Sequence, residues 1–203
     1  MSRKMAFLVT LTVVLAAFFM HTFHTVAAET KATAIILPKP DTDGGKPLMQ
    51  ALALRKSERS FSEKELPLQD ISNLLWATWG VNRPDGRRTA PTAKNEQQVA
   101  VFAVLKSGIW QYDGMGNTLI PALAGDFRAK FDGWPLTLLF AAPDADRSSG
   151  MHVGSLYQNA GLYCASAGLA NVVKRTGADA LDGILPLPEG YRVFVVQSIG
   201  YRK

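Results

Sequence analysis

The apolar positions of this chain follow two periods, and each period predicts its own elements. From Pro67, which opens the first turn, Ile71, Leu74, Leu75, Thr78 and Trp79 recur at i, i+3, i+4, i+7 and i+8. That is one face of a helix, and Gly80 ends it. A longer helix is predicted from about Met151 to Leu169, where Val153, Leu156, Tyr157, Ala160, Gly161, Cys164, Ala167 and Gly168 keep the 3.6-residue period. Many of its residues are small, including Gly154, Ala160, Gly161 and Ala165, so a sheet, a second subunit or a flat ligand packs close to it. Shorter helices are expected at Pro47 to Arg55, with Pro in the first turn, and at Ala178 to Leu185. Strands are expected at Val99 to Leu105 and Ile109 to Tyr112, with turns at Ser107-Gly108 and Asp113-Gly114. The continuous apolar run Leu136 to Ala142 reads as a central strand, and further strands fall near Asn171 to Lys174 and at Tyr191 to Ile199. Helices flank a block of strands without regular βαβ alternation, which argues an α+β fold.

The N-terminus has a different pattern. Arg3 and Lys4 precede an uncharged apolar run, Met5 to Met20, and Val26-Ala27-Ala28 offers small residues for cleavage. Residues 1–28 are expected to be an export signal, which places the protein in the periplasm or outside a bacterial cell. The run falls short of the ~20 apolar residues of a spanning helix. Residues 29–46, punctuated by Pro38, Pro40, Gly44 and Gly45, read as a linker-like lead-in to a domain over 47–203. Within that domain, residues 81–97 (VNRPDGRRTAPTAKNEQ) form a polar loop of a length that usually signals function or disorder.

Composition narrows the classes. With 203 residues, 47% apolar and 19% charged, the chain is an ordinary globular one, which excludes a disulfide scaffold or a multispanning membrane protein. The formal charge is +5; without Arg3 and Lys4, 20 basic residues stand against 17 acidic ones. This excess suits small anionic ligands and is too small to argue for nucleic acid. Cys164 is alone, so no internal disulfide forms, and its apolar neighbours point to a buried structural thiol. After residue 28 the sole histidine is His152, and neither HExxH nor paired CxxC is present.

Three constellations could carry chemistry. In Arg55-Lys56-Ser57-Glu58-Arg59, an extended backbone would put Arg55, Ser57 and Arg59 on one face. Two guanidinium forks around a hydroxyl suit a phosphate monoester, although charged runs of this kind are often merely solvated turns. In the loop Arg87 to Gln97, Asn95 and Gln97 offer paired donors and acceptors, as the edge of a heteroaromatic ring requires, and a plain surface loop is the competing reading. At the C-terminus, Gly200-Tyr201-Arg202-Lys203 could close over an anion or simply fray.

In order, the segments LRKSERSF, LLWATWGVNRPDGRRTAPTAKNEQ, YQNAGLYCASAGLANVVKR and VQSIGYRK resemble the nitroreductase family of flavoproteins, closest to the branch with the SagB-type and azoline-oxidising dehydrogenases. The resemblance covers about Pro47 to Lys203. It implies an antiparallel-type central sheet flanked by helices, with flavin mononucleotide (FMN) at a homodimer interface. By matching position, Arg55, Ser57 and Arg59 serve the phosphate and pyrimidine side, and Asn95 with Gln97 meets the isoalloxazine ring. Arg202 matches a basic residue near the phosphate, and Val173-Lys174-Arg175 matches backbone approaching the ring. Gln158 and Asn159 match the helix at the dimer core, where their implied role is structural. Three departures leave substrate choice outside the resemblance: a short span from Asp126 to His152, Thr92 where Ser is common, and no aromatic residue after Gln97.

The function so implied is a flavin-dependent oxidoreductase that passes electrons to a small acceptor in a ping-pong cycle, with no protein acid or base assigned. The alternative is an exported flavin-binding carrier or accessory module without turnover of its own. Export would also separate the protein from the cytoplasmic nicotinamide pool, so reduced nicotinamides are expected to be slow or nonspecific donors.

Overall fold

The computed structural model describes residues 33–203, and the expected export signal lies outside them. Among these residues one seven-stranded sheet forms, with strand order β1-β4-β3-β2-β5-β7-β6 and every neighbouring pair antiparallel. The elements in chain order are β1 (Ile35–Ile36), α1 (Leu48–Leu54), α2 (Leu68–Trp79), β2 (Ala100–Leu105), β3 (Gly108–Asp113), β4 (Thr118–Ala124), β5 (Leu136–Pro143), α3 (Ser149–Ala167), β6 (Leu169–Lys174) and β7 (Tyr191–Tyr201). The fold is α+β.

β5 runs through the middle of the sheet, between β2 and β7, and its side chains are buried on both faces. That is why its sequence is a continuous apolar run rather than an alternating one. Leu136, Leu138 and Phe140 join Leu74, Leu75, Leu156 and Cys164 in the core beneath the helices. Leu139 and Ala141 point to the opposite face, where Phe102, Val104, Leu181 and Leu185 cover them. α2 buries Ile71, Leu74, Leu75, Thr78 and Trp79, the stripe that its 3.6-residue period marks. α3 ends at Gly168, whose φ of 79° is the left-handed cap that glycine takes without strain. Cys164 is fully buried on this helix, and burial pushes its thiol pKa upward.

Three elements differ from the sequence expectation. Residues 178–185 form successive turns instead of a helix. Gly177 and Gly183 have φ of 87° and 70°, which interrupt the helical backbone on both sides of Leu181. β4 was not expected. It contains Pro121, which sits opposite Trp110 next to an irregularity in the β3–β4 register. β1 pairs only with Thr118 and Leu119, so Pro121 lies where no further strand needs its missing N–H. The lead-in supplies that strand. Leu37 is buried, and the Pro38 carbonyl accepts bonds from Ser72 Oγ at 2.5 Å and Asn117 Nδ2 at 2.8 Å.

At the far end of β7, Tyr201 Oη donates to Asp70 Oδ2 at 2.7 Å and ties the sheet to α2. This bond raises the phenol pKa to about 12. A raised folded-state pKa favours folding fully below the unfolded value of about 10, and the contribution is lost as pH rises through about 12. Tyr201→Phe is therefore expected to flatten the fall in stability between those values, read from urea unfolding across alkaline pH.

Candidate functional site

The chain leaves α1 at Arg55 in an extended conformation and runs against the β6–β7 edge. Glu58 N donates to the Asn171 carbonyl at 2.8 Å, Phe61 bridges to Arg202, and Ser62 N donates to the Tyr201 carbonyl at 2.9 Å. Phe61 is buried beside Gly200 and against Trp134, with ring centroids 4.8 Å apart. This anchoring holds the segment Arg55 to Ser60 in place while leaving Arg55, Ser57 and Arg59 exposed. Glu58 turns instead toward the C-terminus, where both its oxygens accept from Arg202 Nε at 3.1 Å and Oε1 lies 3.0 Å from Arg202 Nη2. The charge of Arg202 is thus answered within the chain. Among the described residues, no carboxylate lies within ion-pair distance of Arg55 or Arg59.

The Arg55 stem passes over Gly161 of α3. A Cβ at Gly161 would lie 4.0 Å from Arg55 Cδ and 3.5 Å from Asn171 Oδ1. Asn171 in turn accepts from Gln197 Nε2 at 3.0 Å, and Gln197 Oε1 is buried without a partner.

The loop 81–97 is held from within. Arg88 Nε donates to Gln97 Oε1 at 2.7 Å, and Gln97 Nε2 donates to Asn95 Oδ1 at 3.1 Å and to the Gly86 carbonyl at 3.2 Å. Gln97 N donates to Thr92 Oγ1 at 3.1 Å. These bonds hold Lys94, Asn95 and Gln97 at φ of 51°, 58° and 52°, a left-handed backbone that non-glycine residues seldom adopt. Asn95 is exposed, whereas Gln97 faces inward and organises the loop. His152, in the first turn of α3, accepts the Ala93 N–H at Nε2, 2.8 Å away.

The two clusters are anchored at separate points of α3. Ala93 docks at His152 and Arg55 at Gly161, nine residues apart on α3, or about 13 Å at 1.5 Å per residue. Lys174 is ion-paired with Asp132, and Arg175 borders a separate cavity of about 540 Å³ near Asp179 and Asp182. Sequence reasoning missed the holding roles of Arg88, His152 and Glu58. Only the placement of Arg88 beside a polar loop hinted at any of them.

Comparison with known proteins decides the family. The sequence model of the nitroreductase family matches residues 52–201. This chain belongs to the nitroreductase family. A nitroreductase-type protein from Ralstonia eutropha JMP134 is 36% identical, with 86% of this chain and 91% of that one aligned at a TM-score of 0.78. The Escherichia coli microcin synthetase McbBCD complex aligns over 92% of this chain and 86% of its own at 18% identity and TM-score 0.63, a likeness of fold. A Bacteroides fragilis nitroreductase with bound FMN aligns over 78% of this chain and 89% of that one, at 15% identity and TM-score 0.56. No curated protein matches.

The nitroreductase also carries an unusual apolar surface. On α1, Leu48, Met49 and Leu52 are 64%, 74% and 44% exposed. Leu48 borders a shallow cavity of about 350 Å³ that Ala51, Trp76, Leu162 and Tyr163 also line. Scattered exposed apolar residues are common, but a contiguous set on one helix marks an interaction surface. Among the described residues, no helix is long and apolar enough to cross a membrane.

Proposed function

We propose that this nitroreductase binds FMN between two copies of the chain and passes electrons through it to a small acceptor. The observation that carries the reading is Arg55 and Arg59, exposed beside Ser57 and free of carboxylate partners, while nearby Arg202 is neutralised. Two unanswered guanidinium groups around a hydroxyl fit a phosphate monoester. The orphaned Gln197 Oε1, close to the Arg55 stem, fits a ligand N–H.

When bound, the flavin supplies the electron-transfer chemistry. Arg55 and Arg59 grip the phosphate and Ser57 donates to it. Asn95 offers its amide to the ring edge, and the bonds from Arg88, Gln97 and His152 keep that amide in place. The anchors of the Asn95 loop and of the Arg55 stem stand about 13 Å apart along α3, a separation that one FMN, from phosphate to ring, would bridge. The apolar face of α1 with Leu162 and Tyr163 is the surface that joins the copies. The backbone of Val173-Lys174-Arg175 approaches the ring side, and Arg202 shapes the clamp through Glu58. The four segments LRKSERSF, LLWATWGVNRPDGRRTAPTAKNEQ, YQNAGLYCASAGLANVVKR and VQSIGYRK, taken in order, support a place in the SagB-type and azoline-oxidising branch. Residues 1–28 direct it out of the cytoplasm, which favours donors other than reduced nicotinamides.

A second reading, a flavin-binding carrier without turnover, draws on the span between β4 and α3. That span holds β5 and a single 3₁₀ turn, Arg128–Phe131, with no helix to cover a substrate.

Sedimentation at micromolar concentration with FMN present is expected to give twice the monomer mass. In the same samples, FMN is expected to bind more tightly than riboflavin. Equal affinity for the two flavins would overturn the phosphate clamp, and a monomer that holds FMN tightly would overturn the shared site.

A further inference from the structure

A second cavity of about 350 Å³ opens at the end of the sheet, between the Arg88 loop, β3 and the start of β7. Its volume is at the small end of ligand pockets, ~300–1,000 Å³. Arg88, Gln98 and Asp113 are among its polar lining residues, and Ile120, Pro188 and Tyr191 among its apolar ones. None of these residues belongs to the Arg55–Arg59 clamp.

Arg88 is fixed before any ligand arrives. Its Nη1 donates to the Trp79 carbonyl at 2.8 Å, its Nε to Gln97, and its guanidinium stacks 4.7 Å from the Trp79 ring centroid. Gly114 makes room for it, since a Cβ there would come within 2.3 Å of Nη1. Nη2 has no protein partner, and no carboxylate lies within ion-pair distance among the described residues. Burial lowers the pKa of this guanidinium, and the charge of nearby Asp113 offsets only part of that cost. An immobilised guanidinium with one edge free binds a carboxylate with little further ordering.

Asp113 supplies the opposite charge within electrostatic reach of Arg88. It accepts the Met115 and Gly116 amides at 3.0 and 3.2 Å, one on each oxygen, which leaves lone pairs on both. The cavity therefore offers a cation and an anion to one small ligand.

We propose that this cavity binds a small zwitterionic amino-carboxylate with an apolar side chain. The carboxylate lies on the free edge of Arg88, the ammonium faces Asp113, and the side chain rests on Ile120, Pro188 and Tyr191. The site needs no flavin, so its failure and the failure of the FMN reading are separable.

The test uses the full chain with three probes: L-phenylalanine, 3-phenylpropionate with the carboxylate alone, and phenethylamine with the ammonium alone. Binding is measured calorimetrically, and the Arg88 side-chain signals are followed by ¹H–¹⁵N NMR, with and without FMN. L-phenylalanine is expected to bind saturably at millimolar concentration or below and to move the Arg88 signals. Each single-charge probe is expected to bind roughly 10–100-fold more weakly, the loss of one charge-assisted contact. Arg88→Lys and Asp113→Asn are each expected to weaken L-phenylalanine binding toward the single-charge level. Equal affinity for the three probes, or no saturable binding by L-phenylalanine, would overturn the proposal. If either variant fails to fold by circular dichroism, the ranking of probes on the unaltered chain decides.

Discussion

Phe140→Ala is expected to destabilise the fold by about 3–5 kcal/mol, the usual cost of removing a fully buried phenyl ring. Phe140 has no exposed surface. It stands on the central strand opposite Val101 on one side and Val195 on the other, and it faces the helix-side core. Removing the ring leaves a cavity that two neighbouring strands and the helices above cannot close without breaking sheet register. The contrast is Met115→Ala, whose side chain is 71% exposed on a turn and whose loss is expected to fall within about 0.5 kcal/mol. Urea unfolding of the two variants checks both values. Similar midpoints would mean that β5 is not the centre of the core.

Arg59→Ala is expected to cost about 1.5–3 kcal/mol of FMN binding, or roughly 10–150-fold in affinity, the worth of a hydrogen bond to a charged group. Riboflavin affinity is expected to stay the same, because Arg59 answers only the phosphate. Arg59 is exposed and forms no ion pair with a described carboxylate, so the substitution leaves the folded chain undisturbed. Fluorescence titration with both flavins reads the two effects together. An equal loss for both would mean that Arg59 acts through the backbone segment and not on the phosphate.

How much of this was legible before the structure depends on what each residue touches. The stripe on α2 and the run on β5 were plain because burial acts on every residue of the element and writes a period into the sequence. Residues 178–185 misled for a related reason. Leu181 and Leu185 are buried over the sheet and spaced like a helix, but Gly183 gives turns that reach the same burial. β4 was hidden by Pro121, which a strand tolerates only where its neighbour stops short.

At the candidate site, Arg55, Ser57 and Arg59 were visible as a charge pattern because they are exposed and adjacent in the chain. The pairing of Arg202 with Glu58 spans 144 residues and the pairing of Lys174 with Asp132 spans 42, and no local spacing encodes either. The role of Arg88 was equally obscure, because Arg87 beside it has the same side chain and only Arg88 turns inward onto Trp79. His152 likewise binds a backbone amide 59 residues away, that of Ala93, which no local spacing encodes.

The most direct test of the central claim is anaerobic stopped-flow of the FMN-loaded protein. The flavin is first reduced chemically and then mixed with small quinones or nitroaromatics, and recovery of the flavin absorbance is followed. Reoxidation that saturates with acceptor at enzyme-like rates, roughly 1–10³ per second, is the result this account predicts. Failure of the protein to retain FMN, or reoxidation no faster than that of free reduced flavin, would contradict it.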